Sequence, residues 1–291
     1  MAIIVNLIGG LGNQMFQYAT GYAMSKDNDL TLKLDIRDFN NNYNHDGFQV
    51  KEAFKLKNQI ISKKDLSTIQ RFITNYYIKK LVKRSLYIKK SNKFYIHRDP
   101  YEYDKNLKKI KTNIYLDGHW QHYKYFNQYK ADLMKIFHFS KLDFTKNPDL
   151  LNYLNHQNLV SVHIRKGDYI SNKKNKSIFF NLEADYFCNA VNKISSQIQD
   201  PFFLIFSDDI KWVKSHIKFN TKNIYYVSSN DKAFLDMSIM SQCRHHIISN
   251  STFSWWPAWL KSKASIVIAP KKWLVQNKQP KGLIMKHWQV L

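Results

Sequence analysis

Between residues 159 and 269 short apolar runs recur with helical stretches between most of them. That alternation constrains the chain more than any single residue does. The runs are Leu159–Ile164, Phe202–Phe206, Ile224–Val227, His246–Ile248 and Ser265–Ala269. The clearest helix between them is 181–199, where Asn181 can cap and Phe187, Ala190, Val191, Ile194 and Ile198 form one face. Strands that alternate with helices build a parallel, doubly wound sheet. Ligands of such sheets bind at the carboxyl ends of the strands. The start of the chain follows the same rule, with a strand at Ile3–Leu7, a glycine loop, a helix at Asn13–Ser25 and a strand at Leu30–Leu34. Residues 48–110 read as helix-rich, Asn113–Gly118 as a strand ending in a turn, and Tyr123–Phe137 as a helix. Thr145–Asp149 has the proline and polar residues of a junction, so two α/β domains are expected, 1–150 and 151–291.

Charge is where composition enters. The 45 Lys and Arg against 22 Asp and Glu leave a net charge of +23. Residues 51–111 hold 18 basic side chains and five acidic ones. Within them Ile73, Tyr77, Leu81 and Val82 recur at helical spacing beside Lys79, Lys80, Lys83 and Arg84. A basic amphipathic helix of this kind can lie on an anionic membrane surface, or pack its apolar face on its own domain. No helix-turn-helix, zinc-finger or RNP-type pattern accompanies the charge, so no nucleic-acid partner is expected. No apolar stretch approaches the roughly 18–20 residues needed to span a bilayer. The first residues lack a basic region and a cleavage site, and Cys188 and Cys243 are too few for a disulfide framework. A cytoplasmic protein is expected, with peripheral contact at the inner face of the membrane through Lys79–Lys90.

Four loops carry chemistry. In Gly9-Gly-Leu-Gly-Asn-Gln-Met15 the glycines Gly10 and Gly12 let the backbone approach a ligand, and the helix start offers free N–H groups. Asp35 stands where a dinucleotide ribose could meet it, yet the third fingerprint position is Met15, and no P-loop lysine follows. In Val162-His-Ile-Arg-Lys-Gly-Asp-Tyr169 a basic pair, Arg165 and Lys166, leaves a buried strand. Arg165 can grip phosphate with two bonds, Lys166 adds a point charge, and Asp168 can hold them in place. Asp208 and Asp209 follow the next strand and could meet a metal, a ribose, a guanine edge or the next helix start. Asn250-Ser-Thr-Phe-Ser-Trp-Trp256 leads from a strand into a helix, with Ser251 and Thr252 at an anion-binding position. Its tryptophans suit a core better than a sugar platform. Together these loops suit a nucleoside diphosphate ligand and a nucleotide-dependent transferase.

These blocks, with Gly118-His-Trp-Gln-His-Tyr-Lys-Tyr-Phe126, resemble those of the bacterial α-1,2-fucosyltransferases, in the same order from residue 9 to 259. The resemblance implies a GT-B-like α/β fold of two Rossmann-like domains facing across a cleft. The first would be the acceptor side, with a basic helical insertion, and the second would bind the GDP-sugar. It implies transfer of L-fucose from GDP-β-L-fucose to the 2-hydroxyl of a galactose-type acceptor, with inversion and no required metal or other cofactor. The acceptor would be a galactose-terminated oligosaccharide of the lipid-linked kind used in surface polysaccharide synthesis. Arg165 matches the arginine that holds the diphosphate, and His163 a neighbour of the nucleotide sugar. Asp236, Ser251, Thr252 and Phe253 match positions that contact guanine and phosphate, and Asn13 an asparagine that approaches the donor sugar. The family often has a second arginine where this chain has Lys166.

Direct displacement at the anomeric carbon needs a proton acceptor, for which Asp168 and His163 are candidates by location. Asp27-Asn-Asp29 has the D-x-D form of metal-dependent glycosyltransferases but sits in a polar turn before a strand. Two rival readings remain at this level. A dinucleotide-dependent oxidoreductase rests on the first loop and Asp35, and a basic non-enzymatic binding protein rests on net charge.

Overall fold

A computed structural model describes the chain except residues 1, 41–46, 58, 67–77, 79–92, 140–141, 230–231, 262–263 and 277–278 and the side chains of Lys63 and Asp168. The basic stretch Lys79–Lys90 lies outside the described residues. Two compact units emerge. Unit 1 is Met1–His138 with Lys281–Leu283, and unit 2 is Phe139–Pro280 with Ile284–Leu291. Among the described residues no helix is long and apolar enough to cross a membrane.

Among the described residues unit 1 is built on five strands, β1 (Ala2–Asn6), β2 (Thr31–Asp35), β3 (Gln59–Ile60), β4 (Phe94–Ile96) and β5 (Ile114–Asp117). They run parallel in the order β3-β2-β1-β5-β4. Helix α1 (Leu11–Asn28) returns the chain from β1 to β2 and buries Met15, Phe16 and Ala19. It ends where Asp29 turns left-handed at φ 51°. The short helices α2 (Val50–Phe54) and α3 (Lys130–Ile136) also belong to this unit. The expected helix over Tyr123–Phe137 forms only in its second half. Two short 3-10 turns precede it, because Phe126 sits at φ −135°, ψ −2°, outside the helical basin. The edge strands β3 and β4 fall in the stretch expected to be helical. At two and three residues they are too short to show an alternation.

Among the described residues unit 2 has six strands, β6 (Leu159–Ile164), β7 (Phe202–Ser207), β8 (Ile224–Tyr226), β9 (His245–Ile247), β10 (Val267–Ala269) and β11 (Gln289–Val290). Their order is β11-β10-β9-β6-β7-β8, and every pairing is parallel. Its helices are α4 (Gly167–Ser171), α5 (Lys173–Ile178), α6 (Ala184–Ser195), α7 (Ile210–His216), α8 (Ala233–Met240) and α9 (Thr252–Leu260). Every residue of β6 is buried, as a central strand covered on both faces must be. On one face Val160, Val162 and Ile164 meet Phe187, Val191 and Ile194 of α6 and Val213 of α7. On the other, Leu159, Leu204 and Phe206 meet Ile239 and Met240 of α8. Each large side chain so buried stabilises the unit by about 1.5–3 kcal/mol. Helix α6 shows the expected apolar face but begins at Ala184, and Asn181 does not cap it. Its side chain accepts from Lys166 Nζ and donates to Glu183. Two parallel sheets in two units is the α/β fold the resemblance implied.

Candidate active site

The strand order of unit 2 reverses at β6. β7 and β8 lie to one side, and β9, β10 and β11 to the other. At such a point the crossover helices leave on opposite faces, and the carboxyl ends of the two central strands open a crevice for ligands. The carboxyl ends of β6 and β9 lead directly into the loops at 165–166 and 248–251, and that of β7 into Asp208 and Asp209.

Arg165 is the first residue beyond β6. Its Nε lies 3.2 Å from Asp208 Oδ2, and its guanidinium stands 5.8 Å from the Tyr169 ring centroid. Asp208 Oδ1 accepts the backbone N–H of Lys166 at 2.9 Å, so one carboxylate orients both the guanidinium and the loop. A Cβ on Gly167 would come within 2.8 Å of Asp208 Oδ2, which explains the glycine. Lys166 turns the other way. It is 1% exposed, and its Nζ donates to Leu182 O at 2.6 Å and Asn181 Oδ1 at 2.9 Å and lies 4.2 Å from the Trp212 ring centroid. Burial lowers its pKa. Lys166 thus meets the loop through its backbone, and its ammonium is held inside the unit. Asp168 lies on α4.

His163, one residue before the end of β6, is buried. Its Nδ1 lies 2.8 Å from Ser249 Oγ and 3.0 Å from Ser254 Oγ, and Phe253 packs on the ring at 5.4 Å between centroids. Burial, helped by the Arg165 cation, pushes its pKa down to about 3. An imidazole so held is neutral at physiological pH and a weak proton acceptor. The loop after β9 is pinned on both sides. Asn250 Nδ2 donates to Phe180 O and Trp273 O, both at 2.8 Å, and Tyr169 Oη donates to Asn250 O at 3.0 Å. Ser251 caps α9 by accepting from Phe253 N at 3.3 Å, and Thr252 opens the helix. Arg165, His163, Asp208, Ser251, Thr252 and Phe253 therefore belong to one connected set of loops at the switch point. Ser249, Ser254 and Tyr169 join them. Tyr169 and Ser254 stand inside the same sequence blocks and Ser249 directly before one, but only the fold shows what they touch.

The remaining expected residues have local roles as well. Asp209 caps α7 by accepting Trp212 N at 2.9 Å. Asp236 lies half-buried in the first turn of α8, the helix that follows β8, whose carboxyl end points the same way as that of β6. Trp255, Trp256 and Trp259 are buried and stack on one another as core.

Unit 1 has its own switch point at β1, between β2 and β5. Gly9, at φ 79°, turns the chain from β1 toward α1, and a Cβ there would stand 2.7 Å from Asn13 Nδ2. Gly10 occupies the N-cap position of α1, and Gly12 is buried within its first turn. Asn13 Oδ1 accepts from Gln121 Nε2 at 2.8 Å, which joins the glycine loop to the loop after β5. Two buried glutamines hold the loop in shape. Gln14 Nε2 donates to Gly9 O and Gly47 O at 2.8 Å, and its Oε1 accepts from Gln49 N and Val50 N. Gln17 Oε1 accepts from Ile8 N at 2.9 Å. Asp35 is buried and bound by Arg37, at 2.9 and 2.6 Å, and by Tyr115 Oη at 2.6 Å. Its carboxylate is engaged within the unit and not presented to a ribose. Asp27 accepts from Gln128 and Tyr129, and Asp29 ends α1, so the D-x-D string is a helix terminus. Among the described residues no cluster of three His, Cys, Asp or Glu side chains could hold a metal ion.

The family model described as glycosyl transferase family 11 matches residues 2–290. An α-1,2-colitosyltransferase of Escherichia coli is 35% identical over 280 residues, 93% of this chain and 92% of that one. The O-antigen biosynthesis glycosyltransferase WbnK of Escherichia coli is 30% identical, covering 97% of this chain and 98% of the relative. Among solved structures, the fucosyltransferase NodZ from Bradyrhizobium superposes with a TM-score of 0.53 at 14% identity, covering 88% of this chain and 91% of that one.

Proposed function

The chain belongs to glycosyl transferase family 11, and from that premise we propose that it transfers a fucosyl-type sugar from its GDP-linked donor to the 2-hydroxyl of a galactose-type acceptor. The reaction is an α-1,2 transfer with inversion, in the synthesis of a surface polysaccharide such as O-antigen. Fucose is the first reading of the sugar. Colitose, the related deoxysugar, is the second, and the 35% identical relative named for it favours that reading.

The observation that carries the proposal is that the loop bearing Arg165 and the loop that opens α9 both leave the switch point of unit 2 and are joined there by the Tyr169 Oη bond to Asn250 O. As the anomeric bond breaks, negative charge gathers on the departing GDP. Arg165, oriented by Asp208, and the first N–H groups of α9 at Ser251–Thr252 stabilise that charge. Phe253 and Asp236 lie in the first turns of α9 and α8, which follow the parallel strands β9 and β8, and meet the guanosine. Asn13 cannot take a proton at neutral pH and has a positioning role. His163, neutral and weakly basic, shapes the donor pocket. The acceptor proton then goes to Asp168 or to the leaving diphosphate itself.

The test is calorimetric titration in EDTA with GDP, GDP-fucose and GDP-colitose, and with GMP and NADH as controls. Binding of GDP far above GMP is expected, as is full turnover in EDTA. NADH binding without GDP binding would restore the oxidoreductase. The acceptor is a galactose-terminated oligosaccharide of the lipid-linked kind, met at the inner face of the membrane. The basic excess in residues 51–111 supports peripheral attachment. Co-sedimentation with anionic liposomes at low salt is expected, and no binding there would end the membrane reading.

A further inference from the structure

Resting on the transferase reading, we propose that Tyr169 is a positioning residue of the donor site. Its hydroxyl holds Arg165 and the start of α9 in the register at which both meet one diphosphate. These two anion-binding elements come from loops far apart in the chain, one after β6 and the other after β9. A diphosphate bridges them only at a fixed spacing, and misplacement by about 1 Å can cost about a hundredfold in rate.

Tyr169 reaches to both sides of that gap. It lies on α4, the helix that opens two residues beyond Arg165. The Arg165 guanidinium stands 5.8 Å from its ring centroid, within the range of a cation–π attraction. At the far end of the ring, Oη donates at 3.0 Å to the carbonyl of Asn250, the residue directly before the Ser251 cap of α9. Both residues are buried, and a hydrogen bond shielded from water constrains its partners more strongly than an exposed one. The two ends also share a support. The Tyr169 ring lies flat on Phe179, with 4.4 Å between centroids and 3° between planes. Phe179 pairs antiparallel with Leu274, where Phe180 N donates to Trp273 O at 3.0 Å and Val275 N to Ile178 O at 2.9 Å. Asn250 Nδ2 binds two carbonyls of the same strip, Phe180 O and Trp273 O. Tyr169 and Asn250 therefore rest on one two-stranded strip, and the Oη bond closes the triangle between them. Asp208 aims the guanidinium from the end of β7. Tyr169 ties the loop that carries it to the loop that opens α9.

The test is Tyr169→Phe in the full chain, which removes the hydroxyl but keeps the ring, its stack on Phe179 and its face toward Arg165. Parent and variant are titrated calorimetrically with GDP and with GMP. The Kd for GDP should rise about tenfold, as loss of one buried hydrogen bond allows. The Kd for GMP should stay within about twofold, because one phosphate does not need two elements in register. Arg165→Ala already breaks the pairing, so adding Tyr169→Phe to it should weaken GDP by no more than about twofold further. A GDP affinity unchanged in Tyr169→Phe, equal losses for GDP and GMP, or losses that multiply in the double variant would overturn the inference. Failure of the parent to bind GDP would overturn the transferase reading and this inference with it. GDP binding that Tyr169→Phe leaves intact would overturn this inference alone.

Discussion

Just beyond the end of β6 two basic side chains leave the chain in succession, and the turn into α4 sends them in different directions. Arg165 is over a quarter exposed and meets Asp208, while Lys166 is buried against Asn181, Leu182 O and Trp212. The two positions therefore separate in their expected effects. Arg165→Ala removes one preorganised donor for the leaving diphosphate and should lower kcat/KM by about a hundredfold or more, with the melting temperature unchanged. Lys166→Ala leaves a buried carbonyl and an amide oxygen without a donor and should cost about 2–4 kcal/mol of stability, measured by thermal or urea unfolding. If Lys166→Ala melted normally but lost GDP affinity, its ammonium would have to reach the diphosphate. The sequence showed a basic pair at a strand end and no more. Which member faces a ligand depends on where Asn181 and Trp212 fold back, contacts 15 and 46 residues away in the chain.

Among the elements, the β6, β7 and β9 strands and the α6 face were legible because they are buried and periodic. The edge strands β3, β4 and β11 carry too few residues to leave a pattern. The glycine loop was legible as a ligand loop, but what holds it was not, since Gln14 and Gln17 read only as polar residues on a helix. Each bonds backbone groups that the loop leaves unpaired. Gln14 alone satisfies Gly9 O, Gly47 O, Gln49 N and Val50 N from a wholly buried position. Gln14→Ala should therefore lower stability by about 3 kcal/mol or more, because each buried group left unpaired costs on the order of 1–3 kcal/mol. Turnover should fall with it, since Asn13 sits on the turn that Gln14 secures. A melting curve and an acceptor-saturated rate on the same preparation check both. Loss of rate without loss of stability would mean that Gln14 touches substrate rather than holding the loop.

For the whole molecule, charge and burial act on stability in the same direction as pH falls, and salt separates them. His97, His122, His163, His245 and His246 all have pKa values lowered chiefly by burial, His122 and His245 to about 4 and His163 to about 3. Their ordinary value lies near 6.5, so below that pH the unfolded chain binds protons that the folded chain refuses. Stability is thus fully present above about pH 6.5 and falls as pH drops toward the folded values, by at most about 1.4 kcal/mol per pH unit for each histidine. Several acting together rival the roughly 5–15 kcal/mol that a protein of ordinary stability has. The net charge of +23 adds self-repulsion, which grows as carboxylates protonate. Repulsion between surface charges is screened within about 3 Å at 1 M salt, whereas the cost of charging a buried imidazole is not. Melting temperatures should therefore hold level from pH 8 to pH 7 and fall steeply between pH 6.5 and pH 5, in 1 M NaCl as in dilute buffer. If salt flattened that decline, repulsion would be its cause, and the buried histidines would have to take up their protons in the folded state.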